Sequence, residues 1–105
     1  MEYKHIGWCR DEESNTDKVW GIILLQDNDT NGFGYTRNRY ASFWGRRGKK
    51  LQTKLFDSSA RDAVKMFEKK LDGGYRSVEI DELNTVYPEF QDDLEKTAVW
   101  ALMMA

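Results

Sequence analysis

Eight side chains within one fifteen-residue stretch carry the most suggestive chemistry: Tyr40, Trp44, Arg46, Arg47, Lys49, Lys50, Gln52 and Lys54. Aromatic rings stack on bases and sugars, and arginine and lysine neutralise phosphates. Rings set among cations are therefore the raw material of a nucleic-acid interface. Residues 37–56 hold seven basic side chains and no acidic one, a local charge of +7. The flanks oppose it: residues 1–36 sum to −4, residues 77–105 to −6, and the whole chain to −2. Such a stretch is a local electropositive patch in an acidic protein. Its plainer origin is a solvated edge hairpin, where lysines discourage aggregation. On that plainer reading Trp44 lies partly under a helix, Arg46 pairs with the acidic C-terminal segment, and Arg47, Lys49 and Lys50 form a solvated turn.

Other chemistries find little support. His5 is the only histidine and Cys9 the only cysteine, which excludes the usual soft metal sites and an intrachain disulfide. Both are expected to be structural strand residues. Asp27 to Gly32 has the front of a calcium loop, but Asn38 stands at the twelfth position where a glutamate is needed, so the segment is expected to be a turn. Asp92 and Asp93, adjacent on a helix, point in different directions and make no acid/base pair. With no triad, metal cluster or phosphate loop, the expectation is no enzyme, no cofactor and no metal.

The elements that must position these residues follow from period and punctuation. The chain has 105 residues, 40% of them hydrophobic, and a single proline, Pro88. That is one domain with a real core. No apolar run approaches the ~20 residues of a membrane span, and no signal peptide is visible, so a reduced, cytoplasmic protein without membrane contact is expected. Residues 18–26 are β-branched and aromatic and predict a central strand, preceded by a weaker one at 4–10. A Gly/Asn-rich loop at 27–36 is expected to be exposed and mobile. Residues 39–45 predict a third strand with Tyr40, Ser42 and Trp44 on one face, and residues 50–56 a fourth after a basic turn. The period then becomes helical: Ala60, Ala63, Val64, Phe67 and Leu71 make a stripe, Ser59 a cap, and Gly73-Gly74 a stop. Residues 75–80 add a short strand. Pro88 suits the first turn of a C-terminal helix whose stripe is Phe90, Leu94, Thr97, Ala98, Ala101 and Leu102.

Trp44-Gly45-Arg46 at a strand end, then Gly48, Gln52, Leu55 and Phe56, then a helix with Ala63 and Phe67-Glu68-Lys69-Lys70, closing on Gly74-Tyr75, resembles a WGR domain. This module occurs in DNA-dependent poly(ADP-ribose) polymerases and in small stand-alone bacterial proteins. The likeness covers about residues 18 to 76. Leu51 stands where the family pattern has a second glycine, and the lysine-rich stretch before Gly-Tyr is shortened to Leu71-Asp72-Gly73. The resemblance implies binding to DNA near a strand break. It implies a sugar packed on Trp44, and an Arg46 that helps hold neighbouring domains together. The polymerase catalytic domain has no room in this chain.

The expected fold is α+β: a WGR-like antiparallel sheet of four to five strands, one covering helix and a C-terminal helix. Residues 1–80 would form the WGR-like domain and 81–105 an acidic helical extension on the same domain. The expected function is nucleic-acid binding, at the DNA backbone or strand ends, through the basic hairpin 39–54 around Trp44-Gly45-Arg46. The alternative is a protein-interaction or inhibitory module using the acidic, apolar C-terminus. There Trp100, Met103 and Met104 lie off the buried stripe and would contact a protein partner or a second copy.

Overall fold

The computed structural model describes residues 2–104. Strands β1 (Glu2–Asp11), β2 (Thr16–Gln26), β3 (Arg37–Arg46), β4 (Gln52–Ser59) and β5 (Arg76–Ser77) form one antiparallel sheet in the order β4-β3-β2-β1-β5. Helix α1 (Ala60–Asp72) follows β4, and α2 (Ile80–Val86), α3 (Phe90–Glu95) and α4 (Ala98–Met103) follow β5. The class is α+β, as the periodicities predict. Among the described residues no helix is long and apolar enough to cross a membrane.

The central strand explains the layering. Residues 19–24 of β2 are buried without a break, the pattern of a strand covered on both faces. Val19 and Ile23 join Ile6 and Phe43 on one face, beneath Leu83, Tyr87, Phe90 and Leu94 of the C-terminal segment. Trp20, Ile22 and Leu24 join Tyr40 and Ala63 on the other, beneath α1. Ser59 starts α1 as expected, its hydroxyl accepting from the Asp62 amide at 3.1 Å.

Two helical expectations need correction. α1 rests on a narrower stripe than its spacing predicts: Ala63 is buried, but Val64 and Leu71 are exposed. Phe67 stacks between His5 and Trp20, at 5.2 and 6.0 Å between ring centroids, and this leaves the helix flanks in water. At the C-terminus two short helices, α3 and α4, replace the single one, and α2 precedes them where no helix is expected. Pro88 lies outside α3, in the turn after α2, rather than in a helical first turn. Thr97 then interrupts the chain: its hydroxyl donates to the Leu94 carbonyl at 2.8 Å and accepts from the Trp100 amide at 3.1 Å, capping α4. The interruption resets the helical phase. Phe90, Leu94 and Thr97 are buried as expected, but Ala98, Ala101 and Leu102 are exposed. Trp100 and Met103 turn inward against the core; Met104 alone of the expected partner residues remains exposed.

The C-terminal segment is therefore core rather than appendage. Phe90→Ala is expected to cost roughly 3–5 kcal/mol, as large buried truncations do. Leu102→Ser should stay within about 0.5 kcal/mol. Urea denaturation measures both, and equal small effects would detach the segment from the core.

Candidate nucleic-acid interface

The site is built on Asp17, a carboxylate only 7% exposed. Its Oδ1 accepts from Trp8 Nε1 at 2.8 Å, and its Oδ2 accepts from Arg47 Nε at 2.8 Å with Arg47 Nη2 also at 2.8 Å. The Arg47 amide donates to the Asp17 carbonyl at 2.9 Å, and Arg47 Nη1 donates to the carbonyl of Val86 in α2. Arg47 and Arg76 both lie over the Trp8 ring, at 5.6 and 5.5 Å. Burial pushes the Asp17 carboxyl up. Hydrogen bonds from Arg47 and Trp8, with the charges of Arg47 and Arg10, more than offset this and hold it below its ordinary value.

Pinning Arg47 fixes the residues before it. Trp44 lies opposite Trp20 on β2 and Gln52 on β4, half-buried at the end of β3. Gly45 has φ +149°, a conformation side chains resist. Arg46 donates from Nη1 to the Asn15 carbonyl at 2.8 Å and from Nη2 to Asn15 Oδ1 at 3.2 Å. Both acceptors are neutral, so its charge is oriented without being cancelled. The opposite wall comes from the end of α1. Gly74 adopts φ +104°, its amide bonds the Leu71 carbonyl at 3.2 Å, and the Tyr75 amide bonds the Lys70 carbonyl at 3.1 Å. This Schellman closure delivers Tyr75 to the end of the sheet where Trp44 sits. Trp44, Tyr75, Lys18 and Arg46 thereby line one open groove of about 440 Å³. A smaller hollow of about 270 Å³ continues it past Ser42 to Met66 and Lys70. Lys18 Nζ lies 5.4 Å from the Tyr75 ring centre, and Lys70 Nζ lies 5.7 Å from that of Trp20.

The expected residues do not all meet here. Trp44, Arg46, Gln52 and Lys54 share one face, because Gln52 pairs with Trp44 and Lys54 with Ser42. Lys49 and Lys50 are exposed in the adjoining turn, and neither they, Lys18 nor Lys54 forms an ion pair among the described residues. Tyr40 leaves the set: it is on the Trp44 face but 2% exposed, stacked on Phe56 at 5.5 Å where α1 covers the sheet. Arg47 is half-buried and not free, since Asp17 holds it. Arg46 does not reach the acidic C-terminal segment; Arg47 does so instead, through Val86. Lys18, Lys70 and Tyr75 join the groove in addition to the expected residues. The two-residue alternation of β2 puts Lys18 on the Trp20 face, and Gly74-Tyr75 marks a helix stop, so both signals were present in the sequence.

The remaining candidates lie outside this groove. His5 stacks on Phe67, and burial, then the Lys4 charge, lowers its pKa and favours the neutral ring. Cys9 is free and half-buried. The loop at 27–36 is tied down: the Asn28 amide donates to Asn38 Oδ1 at 2.8 Å, and the Asp29 amide donates to Asp27 Oδ1 at 2.9 Å. No protein-family model matches the chain, and no curated protein or solved structure does so either.

Because the Asp17 carboxyl is depressed in the folded chain, its contribution is complete above the ordinary carboxylate pKa and is lost as pH falls through the folded value. Thermal melts should show stability falling below about pH 4. Asp17→Asn should cost about 1.5–3 kcal/mol at pH 7, a charged hydrogen-bond loss, with the gap to wild type narrowing in acid. A gap that does not change with pH would remove the ion pair from this role.

Proposed function

We propose that the chain is a nucleic-acid-binding module that engages the DNA backbone at a strand end through the groove around Trp44. One observation carries the reading. Trp44 and Tyr75 line a single open groove with Lys18 and Arg46, at the end of the α1-covered sheet face that α1 leaves open, while the acidic helices cover the opposite face. Rings offer planes on which sugars and bases stack; the cations of Lys18 and Arg46 in the groove, with exposed Lys50 and Lys54 beyond it, suit phosphates. Among the described residues Asp17 is the carboxylate that lines the groove, and it is already engaged by Arg47 and Trp8 and so opposes an incoming anion weakly. The resemblance to a WGR domain supports the same reading, since it implies a sugar against Trp44.

The rival reading, a protein-interaction or inhibitory module, has less surface to work with. Trp100 and Met103 pack against the core and leave only Leu102 and Met104 of the large apolar side chains in α4 and its cap exposed.

If three to four phosphates are neutralised, log K should fall with log salt at a slope of roughly −3 to −4. Replacing Lys18, Lys50 and Lys54 with Gln should flatten that slope, whereas an unchanged slope would take this face out of the interface. Trp44→Ala should weaken binding by about 1–3 kcal/mol, a stacking-sized loss, while most of the thermal stability remains. A melting temperature that collapses instead would mark Trp44 as core.

A further inference from the structure

We propose that α1 carries a single-stranded extension of the same DNA end, leading it from the Trp44 groove to a second aromatic platform at Phe33 and Tyr35. The inference rests on the DNA-binding reading above. Phe33 and Tyr35 are 67% and 69% exposed, yet the loop that bears them is built rather than loose. Asp29 Oδ2 accepts from the Gly34 amide at 2.7 Å. Arg61 Nε donates to the Phe33 carbonyl at 2.9 Å, and the Arg61 amide donates to the Gly34 carbonyl at 3.2 Å. The Arg61 guanidinium lies 4.4 Å from the centre of the Tyr35 ring. Two rings are thus held in water beside a cation, an arrangement that core packing does not require and that base stacking uses.

A basic row connects the two platforms. Arg61, Lys65 and Lys69 are four residues apart on α1. Four residues carry a helix slightly past a full turn, so the row drifts about 40° per step and crosses the outer face obliquely. It begins beside Tyr35, where Arg61 and Lys65 line a hollow of about 470 Å³. It ends next to Lys70, which lines the hollow shared by Trp44 and Tyr75. None of the three cations forms an ion pair among the described residues. Asp62 and Glu68 flank the row, Glu68 within the hollow that Arg61 and Lys65 line, and these carboxylates disfavour the second strand of a duplex. The thirteen residues of α1 span roughly 20 Å at 1.5 Å each. With a phosphate every ~3.4 Å along a stacked strand, that length takes about six nucleotides.

Fluorescence anisotropy on the full chain tests the path. The probes are a blunt duplex and the same duplex carrying a 5′ or a 3′ extension of about six nucleotides. One extended probe should bind at least about fivefold tighter than the blunt one, the gain of a single stacking contact. Tyr35→Ala, and independently Phe33→Ala, should abolish that gain and leave blunt-duplex affinity and melting temperature unchanged. Lys65→Gln with Lys69→Gln should flatten the salt dependence for the extended probe alone. If the blunt duplex binds in a Trp44-dependent way and neither extension adds affinity, the α1 track is overturned and the DNA-binding reading stands. If no probe binds, both fall together.

Discussion

The arrangement depends on one ion pair placed where four chain segments meet. Asp17 opens β2, receives the Trp8 indole from β1, and takes both the side chain and the backbone amide of Arg47 from the turn after β3. Arg47 continues to the Val86 carbonyl at the end of α2. A carboxylate this buried is costly unless paired and hydrogen-bonded, and here each of its oxygens accepts a hydrogen bond. The pair therefore acts as a clamp: it fixes how β3 ends, and Trp44-Gly45-Arg46 is the segment it fixes. It also consumes one cation of the basic stretch. The hairpin's working charge is consequently smaller than its composition, and the missing part is replaced from other elements by Lys18 and Lys70.

A sheet covered on both faces separates the charges that the sequence places close together. The acidic helices α2 and α3 lie on the Phe43 face, while Trp44, Gln52 and Lys54 lie on the α1 face. α1 is too short and rests on too narrow a stripe to cover the whole of its side. It buries Tyr40 and Leu24 near its start and leaves the Trp44 end to water. An open aromatic end beside a covered one is what a sheet of this length leaves when a single helix crosses it. The Schellman closure at Gly74 turns the chain back at that point, which is why Tyr75 becomes a wall of the groove.

The sheet was legible because its strands obey simple periods. The continuous apolar run of β2 and the alternation of β3 and β4 give strand and face together, and Ser59 and Gly73-Gly74 bound α1. The C-terminus was not legible for an equally physical reason. Thr97 competes for backbone hydrogen bonds and breaks the helix, and a break of one residue rotates every later side chain to a new side. A stripe counted from Phe90 across that break therefore places Leu102 in the core and Trp100 at the surface, whereas Leu102 is exposed and Trp100 packs against the core. The site was half legible. Alternation placed Trp44, Gln52 and Lys54 on one face, but the burial of Tyr40 depends on where α1 lies, and the capture of Arg47 depends on an aspartate thirty residues earlier.

The central claim is that the groove face, not the acidic face, meets DNA. Amide and indole NMR shift mapping during titration with a blunt duplex tests it most directly. The account predicts perturbations concentrated at Lys18, Trp44 to Arg46, Gln52, Lys54 and Tyr75, with the amides of α2 to α4 unmoved. Perturbations confined to residues 79–104, or spread evenly over both faces, would contradict it.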